Sequence, residues 1–155
     1  MDAIFQREIE KVVVVFKTLV ESKPIRYPLG VRTLPEKGIY LFSEKGAHQY
    51  VGRSDSIRDR LNMHQRESAD INSASFAALI AKKDCGIKAV SYKAAAPGSH
   101  YSDQPDFRKA FSLAKKRIRQ MEIKVIEETD PVRQALLELY TASVLKTPYN
   151  DFSNH

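Results

Sequence analysis

A single cysteine, Cys85, stands in a chain of 155 residues, so neither an intrachain disulfide nor a thiolate metal cluster can be built from it. A reducing compartment matches that usage, and a cytoplasmic protein is the expectation. Long apolar runs are missing too. One of the longest, Val12 to Phe16, falls far short of a membrane span. It lies among Asp2, Arg7, Glu8, Glu10 and Lys11, charges that a signal peptide would not tolerate. No membrane partner is therefore expected. Internal repeats and low-complexity tracts are also absent, which leaves an ordinary globular chain.

What is present agrees with that. Hydrophobic residues make up 43% and charged residues 28%, a balance usual for soluble domains, and the length suits one domain with a sizeable core. Lysine and arginine outnumber acids 25 to 19, for a formal charge of +6. Such a surplus favours polyanions, nucleic acid or an anionic membrane, without choosing between them.

Apolar residues at Phe5, Ile9, Val12, Val13, Phe16, Leu19 and Val20 recur at helical spacing and predict an amphipathic helix over 3–22, against the strand preference of its consecutive valines. Pro24, Pro28, Gly30 and Pro35 mark an irregular linker. Residues 38–43 and 49–53 read as a hairpin. Helices are expected over 56–66 and 74–83, a strand over 87–93, a loop from Pro97 to Pro105 and a basic helix over 106–119. A third strand of the sheet is expected over 121–127. Asp130 followed by Pro131 is a helix start, carboxylate cap and then a proline where no N–H is needed, and that helix runs to about Leu145. The fold class is α+β, an α/β sandwich with a small antiparallel central sheet flanked by helices.

Chemistry gathers around the hairpin. Gly38-Ile39-Tyr40 lies on its first strand and Tyr50-Val51-Gly52 on its second. With the turn centred near Lys45, Tyr40 and Tyr50 face each other across the ladder, either as an ordinary aromatic pair or as paired phenols of a site. Arg60 and His64 are four apart on the next helix, so they share a face and can converge. Gly52, beside Arg53, would let a substrate approach. Glu138 is the lone acid between Pro131 and Lys146, on a helix apolar nearly all round and so read as buried. A carboxylate there needs an arginine partner or a metal ion, and the sequence leaves both open.

Taken together, these residues resemble the GIY-YIG nucleases. The first triplet agrees letter for letter and the second differs by Val51 alone. Arg60 follows Tyr50 by ten residues, similar to the family's active-site arginine, and His64 falls where the family has histidine or tyrosine. Glu138 looks like the family's metal-binding glutamate and Asn150 like the asparagine after it, while Arg53 stands where relatives such as the bacterial excision-repair incision subunit carry lysine. The resemblance covers 34–66 and 120–152. It implies one nuclease domain over 1–155, with an added N-terminal helix and linker (1–30) and an insertion (67–119) within the core.

The implied activity is endonucleolytic hydrolysis of phosphodiester bonds in DNA by a one-metal mechanism. Glu138 would hold one divalent ion, Mg²⁺ or Mn²⁺, and Arg60 would bind the scissile phosphate. A tyrosine would serve as base, Tyr40 by preference with Tyr50 hydrogen-bonded nearby or the two in reversed roles, its pKa brought down by Arg53, Arg60 and the metal. Substrate contacts are expected from Gly52, Arg53 and Asn150, the last more to order the final helix or metal shell. On the basic helix Arg108, Lys115 and Arg119 form a stripe, with Lys109 and Lys116 alongside, either a solvated face or a phosphate-tracking one. A non-catalytic nucleic-acid-binding domain on the same fold is the alternative. A monomer is expected, with a homodimer through the N-terminal helix as the other possibility.

Overall fold

The structure, a computed structural model, describes residues 1–87 and 100–153, and these fall into two compact units. The first holds Met1–Arg60 and Gln120–Asn150; the second holds the described parts of Leu61–Arg119 and Asp151–His155. All but the first residue of the strand expected over 87–93, and the start of the loop expected from Pro97, lie outside the described residues. The fold class is α+β: among the described residues, α-helices and one small three-stranded antiparallel sheet.

In the first unit, α1 (Ala3–Glu21) starts where the Asp2 carboxylate accepts from the backbone N–H groups of Ile4 and Phe5. Its valines do not prevent the helix, because burying its apolar stripe outweighs their propensity. It stops at Ser22, which turns extended and bonds back to the Leu19 carbonyl. Strands β1 (Gly38–Glu44) and β2 (Ala47–Ser54) meet through Lys45 and Gly46, both at positive φ, the backbone a tight hairpin turn requires. Strand β3 (Glu122–Glu127) pairs antiparallel with β1 on its other side, so β1 is central. Helix α5 (Pro131–Leu145) is capped as expected, with Asp130 accepting from the N–H of Arg133.

Alternation along the strands decides the layering. Ile39, Leu41 and Val51 share one sheet face and pack with Val12 and Leu19 of α1 and Leu137 and Ala142 of α5. Fully burying side chains of this size contributes about 1.5–3 kcal/mol each. Phe16 and Tyr140 meet edge to face at 5.1 Å and join the two helices. Helix α5 is not buried all round. Val132, Leu139 and Val144 are exposed, and its buried residues are Gln134, Leu137, Thr141 and Ala142. An outer layer needs only one inward face, so the apolar character of its far side reflects no burial.

Both outer edges of the sheet are occupied. Ile25 of the linker exchanges both backbone hydrogen bonds with Ile123 of β3, at 2.7 and 2.8 Å. On β2, Gln49 accepts from the N–H of Tyr149, next to the amide of Asn150 described below. Open edges invite pairing with other chains, and these segments blunt them.

The second unit comprises the end of α2 (Ile57–Gln65), α3 (Ser75–Asp84), a short 3₁₀ turn at Tyr101–Asp103 within the expected loop, and α4 (Pro105–Ile118). Helices α3 and α4 pack together, burying Phe76, Ala77, Ile80 and Ala81 of the first and Phe107, Ala114 and Ile118 of the second.

Candidate active site

The hairpin register differs from the one a simple turn predicts. Tyr40 lies opposite Gly52, and Tyr50 lies opposite Phe42. A bulge between Phe42 and Ser43 leaves Gln49 without a partner on β1. Without that extra residue Tyr50 would point to the α1–α5 face, since a slip of one residue exchanges the faces of a strand. The tyrosines are thus diagonal neighbours on one face, ring centroids 6.4 Å apart.

Gly52 explains why the diagonal pair closes up. A Cβ there would sit 2.3 Å from the Tyr40 hydroxyl oxygen and 2.4 Å from the ring carbon that bears it. The room expected for a substrate is filled by the Tyr40 phenol itself. Tyr40 is 1% exposed, and its oxygen accepts a hydrogen bond from the Arg60 guanidinium. Burial above all, then the neighbouring Tyr50, pushes the phenol far above its ordinary pKa, and Arg60 only partly opposes this. Among the protein's own groups, desolvation thus outweighs the positive charge of Arg60, and the shift is upward where a downward one was expected. Tyr40 is a neutral phenol that positions Arg60, whereas Tyr50 is partly exposed and accessible to water.

Arg53 projects toward α5 because it occupies the register position opposite Ile39, on the helix-facing side. Its Nε donates to Oε2 of Glu138 at 3.0 Å. Glu138 is half-buried, and among the described residues Arg53 is its ion-pair partner. Burial raises the carboxyl pKa despite that cation. One helical turn earlier, buried Gln134 donates to the Asp55 carboxylate at 3.2 Å and to the Glu128 carbonyl at 2.7 Å. Sequence reading missed Gln134 and Asp55. The available signal was a polar residue four positions before Glu138, on the same face of the helix.

Other expected site residues do different work. Asn150 accepts from the Val51 N–H at 2.9 Å and donates to the Val51 carbonyl at 2.8 Å, while Thr147 donates to its Oδ1 at 2.7 Å. Its amide stands in for a neighbouring strand and pins the chain after α5 to β2, so Asn150 is an ordering residue rather than a substrate contact. In the second unit, His64 is fully buried, its ring edge-on to Phe76 at 6.3 Å, instead of being presented to a substrate. Lys115 is buried as well. Its ammonium donates to the carbonyls of Glu67 and Ala69 at 2.8 and 2.5 Å and lies over the Phe111 ring at 4.2 Å. Arg119 donates to the Gln65 carbonyl and side chain, both at 3.1 Å. The stripe of Arg108, Lys115 and Arg119 is thus no continuous phosphate face. Arg108 is its exposed member, and Lys109 and Lys116 alongside it are exposed as well.

Among the described residues no three or more histidine, cysteine or acidic side chains gather as a metal cage. Glu138 fits a narrower demand. It is a hard oxygen donor, partly exposed at 22% of its side chain, and Mg²⁺ takes one or two such carboxylates while keeping most of its waters. Compared with known proteins, the chain matches no family model, no curated protein and no solved structure.

Proposed function

We propose that this chain is a metal-dependent endonuclease hydrolysing phosphodiester bonds in DNA, in the manner the GIY-YIG resemblance implies. The observation that carries the reading is that Tyr50 and Arg60 lie against Tyr40, whose phenol also feels the charge of Glu138, and that Arg53 bonds Glu138 from 85 residues before it, all within one unit. Arg60, oriented by the Tyr40 oxygen, presents a planar fork suited to a phosphate. Glu138 would hold the divalent ion, which supplies positive charge against the developing charge of the reacting phosphate. Tyr50, the more exposed phenol, would take the proton from the attacking water. Nucleic acid is the partner, and exposed basic side chains such as Arg108, Lys109 and Lys116 would add sequence-blind affinity.

A second reading is favoured by two observations: burial of Tyr40 and neutralisation of Glu138 by Arg53 both suit a domain that binds nucleic acid without cutting it. The deciding experiment incubates the protein and Glu138→Gln with supercoiled, linear, branched and single-stranded DNA, and with RNA, with and without Mg²⁺. Mg²⁺-dependent cleavage lost in the variant supports the nuclease. Binding without cleavage in any condition selects the silent domain.

A further inference from the structure

Arg53 and Glu138 form a pair whose geometry is unlike that of a structural ion pair. The contact is single, Nε to Oε2 at 3.0 Å, and the guanidinium fork is not used bidentately on the carboxylate. Arg53 is the more exposed partner, at 47% of its side chain. It also sits near the end of β2, one residue beyond Gly52, and is exposed there. Buried pairs that hold a fold together are enclosed and multiply bonded, whereas exposed single-contact pairs are weak and exchange readily with water and other ions.

We propose that Arg53 is an internal counter-ion that competes with the divalent cation for Glu138. This rests on the assignment of Glu138 as the metal ligand. A half-buried carboxylate left alone would be costly, and Arg53 supplies compensating charge when no ion is bound. A guanidinium and a divalent cation on the same carboxylate repel each other, so cation binding weakens the Arg53 contact. The released guanidinium, on its flexible stem at the sheet end, is then available to a phosphate. Arg53 thus couples occupancy of Glu138 to the supply of a second phosphate-binding arginine in addition to Arg60.

The test measures binding of Mn²⁺ by electron paramagnetic resonance, in which free ion gives the signal, without any nucleic acid. The intact chain, Arg53→Gln, Arg53→Lys and Glu138→Gln are titrated, with circular dichroism melts to establish that each is folded. Arg53→Gln should bind Mn²⁺ tighter by about fivefold or more, since a competing surface cation has been removed. Arg53→Lys, which keeps a charge that can pair, should stay close to the intact chain, and Glu138→Gln should lose the site. Unchanged or weaker binding in Arg53→Gln, with the site lost in Glu138→Gln, overturns the competition while the metal assignment stands. Equal binding in Glu138→Gln and the intact chain, or no binding by any variant, overturns the metal assignment and the competition together.

Discussion

The Tyr40 phenol occupies the volume that a side chain on Gly52 would need. The register places the two residues directly opposite each other, and a Cβ on Gly52 would come within 2.3 Å of the phenol oxygen. The same oxygen receives the hydrogen bond from Arg60. One methyl group at position 52 would therefore move the group that orients the arginine. Gly52→Ala should lower stability by about 1–3 kcal/mol, the usual cost of overpacking, and reduce cleavage beyond what that loss explains. Denaturant unfolding and single-turnover kinetics on the folded variant separate the two effects. Wild-type cleavage in Gly52→Ala would show that the position of Tyr40 does not matter.

The phenols should divide the pH behaviour. Tyr40 is held above its ordinary range by burial, so it stays protonated through neutral and mildly alkaline pH. Tyr40→Phe should lower the rate by about tenfold or more, through loss of a hydrogen bond from a charged donor, without changing the shape of the pH–rate profile. Tyr50→Phe should change that shape. The stability consequence has a definite sign. Above pH of about 10 the unfolded chain ionises this tyrosine while the folded chain keeps its proton, so stability falls as pH rises, and Tyr40→Phe should weaken that fall. An alkaline limb of the rate profile that disappears in Tyr40→Phe would return the base role to Tyr40.

Sequence alone carries those features that depend on neighbours along the chain. Asp130-Pro131 caps α5 because the carboxylate needs only the N–H three residues on, and Lys45-Gly46 forms its turn from local backbone preference. Arg60 and Glu138 stand out by type and spacing. The bulge at Gln49 does not, because register is set by which face the core accepts, and that depends on α1 and α5. Lys115 looks like part of a charged face until the carbonyls of Glu67 and Ala69, distant in sequence, come within its reach. Arg53 and Glu138 are each readable as site residues, but their pairing spans 85 residues and belongs to tertiary structure.

Glu138→Gln should abolish cleavage while leaving the fold and nucleic-acid binding nearly unchanged, because an amide keeps the shape and loses the charge. Arg60→Ala should lower the cleavage rate by about a hundredfold or more, as removal of preorganised charge at a transition state does. Arg60→Lys should recover little of it, since an ammonium cannot reproduce the planar fork. Single-turnover cleavage with excess protein is the measurement, and full activity in Glu138→Gln would end the metal-site assignment.

Lys115 is expected to matter for folding rather than for binding. Lys115→Met removes the donor to two backbone carbonyls and should destabilise the chain by about 2 kcal/mol in denaturant unfolding. It should leave the dependence of nucleic-acid affinity on salt unchanged. Replacing Arg108, Lys109 and Lys116 together with alanine should instead flatten that dependence with little effect on stability. A flattened salt slope in Lys115→Met would restore that residue to the binding face.

Stoichiometry follows from the count of functional groups and from where α1 spends its apolar stripe. One Glu138 and one Arg60 make one site, which cuts one phosphodiester at a time, so a double-strand break needs two protomers or two successive encounters. A dimer through α1 would require its apolar face to be available. Instead Val12 and Leu19 are buried against the sheet and α5, and Phe16 is engaged with Tyr140. Of the apolar residues left exposed on α1, Ile4 and Val14 lie off the centre of that stripe, and Phe5 continues it in the helix's first turn. Scattered exposed apolar side chains are usual on monomers and do not define an interface. The expected species is a monomer that converts supercoiled plasmid to the nicked form first and to linear product later. Light scattering at assay concentration, combined with a cleavage time course, measures both. A stable dimer that yields linear DNA without a nicked intermediate would mean that two sites act together, and Ile4, Phe5 and Val14 would then be the first positions to substitute in search of the interface.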